Sequence, residues 1–167
     1  MLKVYSARFG EQEVDDDKVI TLPDGMVGFR EQHYVLLSPP GGGPFCWFQA
    51  VDNPDLAFVV VELTQFVADY RLRITRDECD RLQLGPDNEY VLLAVVTMSS
   101  EPGSITINLQ GPVVLNPANM RAKQLVMDDS YPSRFPLFPS DAVDGSTKVA
   151  GYTSLHNDLA TALIGRS

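Results

Sequence analysis

A chain of 167 residues with 44% hydrophobic and 21% charged residues is ordinary in composition and long enough for one domain with a substantial core. Its net charge of −9 argues against direct binding of RNA or another polyanion, which needs several Lys or Arg gathered on one face. The opening stretch MLKVYSARFGEQEVDDD lacks the apolar core of a signal peptide, and no segment approaches the ~20 apolar residues of a membrane helix, so a cytoplasmic chain is expected.

Short apolar runs separated by turn residues follow in order. KVITL stops at Pro23-Asp24-Gly25, a turn signal. HYVLLS stops at Pro39-Pro40-Gly41-Gly42-Gly43-Pro44, which has little capacity for regular hydrogen bonding, and FCWFQAV stops at Asp52-Asn53-Pro54-Asp55 before LAFVVVEL. YRLRIT alternates Tyr70, Leu72 and Ile74 with Arg71, Arg73 and Thr75, which predicts a strand with both arginines on its wet face. YVLLAVVTM is apolar at nearly every position, as a strand buried on both faces would be. After SITINLQGPVVLN comes RAKQLVM. Many short strands with Gly and Pro between them point to a β-sandwich or barrel.

Two stretches read as helical. In TRDECDRLQLG, Thr75 is a candidate N-cap with Glu78 three positions on, Leu82 faces inward, and Gly85 is the expected stop. In the tail, Ser154 would cap a short helix carrying Leu155, Leu159 and Leu163 on one stripe, with Gly165 after it. FPSDAVDGSTKVAG before it has the composition of a linker. Residues 1–139 are therefore taken as the domain and 140–167 as an extension.

No stretch carries a reactive centre. His33 and His156 stand apart, and no His, Cys or carboxylate group has zinc spacing. Cys46 and Cys79 are best explained as reduced thiols. PPGGGPFCW lacks the Lys-Ser or Lys-Thr of a phosphate loop, and EVDDDK lacks the spaced oxygens of a calcium loop. Asp128-Asp129 could form an acid–base pair in a hydrolase, but neighbours on a strand point to opposite faces. No cofactor or metal is expected. Bases are absent from Glu31 to Tyr70 and from Leu82 to Met120, between which sits the cluster Arg71, Arg73, Arg76 and Arg81. The acid-only stretches either speed encounter with a basic partner or serve as solvated surface.

Four stretches in order, ITLPDGMVGF, FQAVDNPDLAFVV, TINLQGPVVLN and KQLVMDDSYPSRFPL, resemble the flagellar assembly factor family, FliW, over about the first 137 residues. The resemblance implies an all-β, single-domain, antiparallel barrel-like fold with one short internal helix and a C-terminal helical or loose tail, and no enzymatic activity. It also implies two partners, flagellin and CsrA, a small RNA-binding repressor of translation. Export of flagellin would free the factor to capture CsrA and release flagellin mRNA for translation. SYPSRF departs from a Tyr-x-x-Arg-Tyr type of sequence in that Phe135 keeps the ring and loses the hydroxyl.

Within SITINLQGPVVLN, Ile105, Ile107 and Leu109 alternate with Thr106, Asn108 and Gln110, and Gly111-Pro112 interrupts the ladder. Asn108 and Asn116 either hydrogen-bond nearby backbone at such breaks, or, for Asn108, border a partner surface. Tyr131, Arg134 and Phe135, with Asn108 behind them, are the expected partner-binding residues, although Tyr131 and Phe135 could instead plug one barrel end. The alternative function, a small-ligand-binding barrel or a hydrolase, would require a deep pocket with convergent polar groups.

Overall fold

The computed structural model describes residues 1–97, 105–127 and 131–137. Eleven strands and one α-helix follow in chain order: β1 (Leu2–Ser6), β2 (Gly10–Val14), β3 (Ile20–Thr21), β4 (His33–Leu37), β5 (Cys46–Ala50), β6 (Ala57–Glu62), α1 (Arg76–Leu82), β7 (Val91–Thr97), β8 (Thr106–Ile107), β9 (Val113–Asn116), β10 (Arg121–Gln124) and β11 (Phe135–Pro136). Neighbouring strands run β7-β6-β5-β4-β3-β10-β9, and β9 pairs back onto β7, so seven strands close into a barrel. Every contact in the ring is antiparallel except the single parallel register of β10 on β3, Arg121 against Thr21.

Closure explains the burial pattern. Side chains alternate across a strand, and here both sides are covered. On β7, Val91 and Leu93 point into the lumen, whereas Leu92, Ala94 and Val96 join a second cluster outside the ring. β9 repeats this with Val113 and Leu115 inward and Val114 outward. On β4, Tyr34 and Leu36 fill the lumen, while Val35 and Leu37 meet Val4 and Val14 of the β1–β2 hairpin. The lumen is packed, with the Tyr34 and Phe48 rings stacked at 4.5 Å and Met26 2% exposed. The continuous apolar run of β7 is thus a strand buried on both faces, as expected.

The hairpin was not legible as a unit in the sequence. Lys3, Glu11 and Glu13 take the exposed positions, but polar Ser6 and Gln12 share the covered face and Tyr5 the exposed one, so few apolar residues mark the alternation. It is fastened from the side, where the Phe9 ring stands edge-on to Trp47 at 5.4 Å and the Arg8 guanidinium lies 4.6 Å over the Trp47 ring.

Four local expectations need correction. YRLRIT is not a strand: residues 70–75 are extended with no ladder partner. The alternation is real, with Tyr70, Leu72 and Ile74 packed against the outer cluster and Arg71 and Arg73 exposed, but it reports burial against the barrel wall rather than sheet pairing. Helix α1 has the expected capping box, with the Thr75 hydroxyl accepting from Glu78 N at 3.1 Å and the Glu78 carboxylate accepting from Thr75 N at 3.0 Å. It stops at Gln83, not Gly85. Gln83 adopts the left-handed conformation (φ 57°), Gln83 N bonds Asp80 O and Leu84 N bonds Cys79 O, the double closure of a Schellman turn. KVITL pairs only at Ile20–Thr21 and the run from Ser104 to Gln110 only at Thr106–Ile107. Leu82 faces inward as expected, 2% exposed.

The short β8 has a physical cause. β8 and β9 lie end to end along the same side of β7, with Ile107 opposite Val96 and Val113 opposite Leu93. Three steps on β7 therefore face six on the opposite chain, and the surplus forms a wide bulge at Asn108–Pro112. Side-chain amides satisfy the backbone there: Asn108 Oδ1 accepts from Gln110 N at 2.9 Å, and Gln124 Nε2 donates to Gly111 O at 3.1 Å. Asn116, 2% exposed, accepts from Ala118 N at 3.0 Å and donates to Leu82 O at 2.9 Å, tying the turn after β9 to the end of α1. Both asparagines thus have the backbone-satisfying role. The two cysteines form no disulfide: Cys46 lies in the lumen with its pKa pushed up to about 11 by burial, and Cys79 is half-buried on α1.

Candidate functional site

Beyond β7 the sheet continues outward through β8 to β11, where it ends. Two stretches, 124–127 and 131–137, lie antiparallel along Ile105–Pro112. Leu125 N bonds Pro112 O, Met127 N bonds Gln110 O, Leu109 N bonds Pro132 O, and Leu137 N bonds Ile105 O. The sheet edge is therefore irregular, with regular pairing only at β11, where Phe135 stands opposite Ile107. Pro132 and Pro136 supply no N–H there, the usual guard against edge-to-edge pairing.

Three of the four expected binding residues lie on this edge, and Asn108 lies in the bulge beside it. Arg134 is exposed, as are Ser133 and Pro136. Tyr131 and Phe135 are half-buried against the outer cluster with Ile107, Leu109 and Leu137. Neither enters the lumen. They cap the outer core from the side, half-buried, so the expectation that they plug one barrel end is corrected. Asn108 is half-buried, its side chain engaged in the bulge, with Nδ2 about 3.0 Å from where a Cβ on Gly111 would stand.

The structure adds residues that the sequence did not single out. The Tyr70 ring stacks on Tyr131 with centroids 4.4 Å apart, and Tyr70 Oη donates to Leu109 O at 2.6 Å. Burial, then the neighbouring Tyr131, pushes the Tyr70 phenol up to about 12, so it stays a donor at any physiological pH. Tyr131 Oη accepts from Arg71 N at 2.8 Å, and Gln110 Nε2 donates to Tyr131 O at 2.7 Å. The extended segment 70–75 and the edge strand thus hold each other through a pair of tyrosines. The signal was in the sequence, since Tyr70 opens the alternating run, but a contact across sixty residues has no local signature.

Little here resembles catalytic machinery. Among the described residues no group of three His, Cys, Asp or Glu could hold a metal, and no helix is long and apolar enough to cross a membrane. His33 stands at the surface 3.9 Å from Asp52. Asp128, Asp129, His156 and the expected tail helix lie outside the described residues.

A closed seven-strand ring with a side-chain-filled lumen, flanked by one short helix and a built-out edge, places the protein among small β-barrels that carry their accessible surface outside. The profile of the FliW protein family matches residues 3–137. The flagellar assembly factor FliW of Geobacter sulfurreducens is 50% identical over 142 residues, covering 84% of this chain and 89% of that protein. Its counterpart in Geotalea uraniireducens is 49% identical over 138 residues, covering 82% and 85%. The crystal structure of a flagellar assembly factor FliW superposes with a TM-score of 0.74 at 26% identity, covering 83% of this chain and 99% of that one. The chain belongs to the FliW family and is a flagellar assembly factor.

Proposed function

We propose that this flagellar assembly factor works in the cytoplasm without catalysis, as a partner switch: it binds flagellin and, when flagellin has been exported, sequesters CsrA and relieves repression of flagellin mRNA. Family membership across residues 3–137 supports the flagellar role. The observation that carries the binding surface is the sheet edge, where exposed Arg134 projects beside two half-buried rings, Tyr131 and Phe135, with Asn108 and the Tyr70 ring behind. Interfaces draw most of their energy from a few Arg and aromatic anchors with partly prepaid burial. A stable complex would bury about 1,600 Å² in total, more than this strand alone presents, so the bulge and the exposed face of 70–75 fall within the footprint.

The test is the Arg134→Ala variant against purified flagellin and purified CsrA. Loss of affinity of at least about tenfold with the melting temperature unchanged supports the edge. Intact binding of both partners with a lowered melting temperature makes Arg134 a structural residue and removes the assignment.

A further inference from the structure

A second polar feature lies at the far end of β10 from this edge. The last turn of α1 and the start of β10 enclose a cleft of about 260 Å³ whose walls carry Arg81, Arg121 and Lys123. In an acidic chain this is a local concentration of cations. One carboxylate already serves it: Asp24 Oδ2 lies 2.8 Å from Lys123 Nζ and 4.0 Å from Arg81 Nη1. Those cations, Lys123 foremost, hold the Asp24 carboxyl below its ordinary range. Arg81 Nε also meets Asp77 at 3.1 Å. The Arg121 guanidinium is steadied by donating to Arg81 O at 3.2 Å, through one of its five N–H groups. Leu82, 2% exposed, lies at its base, and Arg121 and Lys123 flank Ala122, whose side chain turns into the lumen.

We propose that this cleft docks an acidic side chain of a protein partner, with Arg121 and Lys123 on the carboxylate. A fixed guanidinium beside an ammonium suits a planar carboxylate. The chain's net charge of −9 disfavours an extended polyanion but not one carboxylate set into a protein interface. Asp24 is then the resident occupant, which an incoming acid competes with for Lys123. The site is built on α1 and β10 rather than on Tyr131–Phe135, and gives the molecule a second docking point.

The experiment titrates the full-length, isotope-labelled chain with N-acetylglutamate N-methylamide, whose only charge is the side-chain carboxylate, and follows the amide and Arg Nε–H resonances. Saturable shifts centred on Arg121, Ala122 and Lys123 are expected at millimolar ligand, at least tenfold weaker with the neutral glutamine analogue. Asp24→Asn removes the competitor and should tighten binding at least threefold. Arg121→Gln should weaken it at least tenfold, and Lys123→Gln, which leaves the Arg121–carbonyl bond in place, should weaken it as well. Equal shifts from the glutamine analogue, no tightening in Asp24→Asn, or inorganic phosphate binding tenfold tighter than the glutamate compound would each overturn the proposal. Neither flagellin nor CsrA is present, so failure here leaves the edge reading standing.

Discussion

The closed ring and the open flank are built from the same kinds of residues but solve opposite problems. In the ring, each of β4, β7 and β9 covers both faces, and its backbone pairs on both sides over part of its length. On the flank, residues 70–75 and 131–137 have one covered and one exposed side, the bulge at Asn108–Pro112 is half-buried to buried, and side chains replace missing ladder bonds. The ring has no unpaired edge to offer, and its lumen is full. The recognition surface proposed above lies where packing is one-sided, where a partner could complete what the fold leaves open.

Substitutions should separate the two regions by size of effect. Phe48→Ala, which empties the stacked pair in the lumen, should cost about 3–5 kcal/mol and lower the melting temperature by roughly 10 °C, read by calorimetry. Asn116→Ala sits at the seam between ring and flank; leaving the Leu82 carbonyl and the Ala118 N–H without their partner should cost about 1–3 kcal/mol in urea unfolding. Thr75→Ala removes only the cap of the short flanking helix, and a loss of about 1 kcal/mol is expected, with Ser at this position restoring most of it. Arg134→Ala should change stability by less than about 0.5 kcal/mol while weakening partner capture. A reversal of this order, with the flank variants costing more than Phe48→Ala, would mean that the flank and not the ring organises the fold.

Parts of the ring and the cap of α1 could be seen in the sequence because their signals are local. The unbroken apolar run of β7, the turn residues after β4 and β5, and the Thr75–Glu78 capping box each need only neighbours along the chain. What could not be seen depended on distant residues. Alternation from Tyr70 to Thr75 specifies which side chains are buried, and nothing in it says whether a strand lies alongside to pair with. The left-handed Gln83 outcompetes Gly85 as helix stop because Asn116 and Asn119, more than thirty residues away, bond the Leu82 carbonyl. Ring closure of β9 on β7 and the stacking of Tyr70 on Tyr131 are likewise long-range facts. The proposed site residues were expected on the strength of a family resemblance; that Tyr131, Arg134 and Phe135 share one sheet edge outside the barrel, with Asn108 in the bulge beside it, had no local signal.

Amide hydrogen exchange of the full-length chain, alone and saturated with purified flagellin, tests the division of labour most directly. Added protection should concentrate at 105–110 and 131–137 and extend to 70–75, with β4, β5 and β6 unchanged. Protection centred on β4–β6 with the edge strand exchanging as before would contradict it.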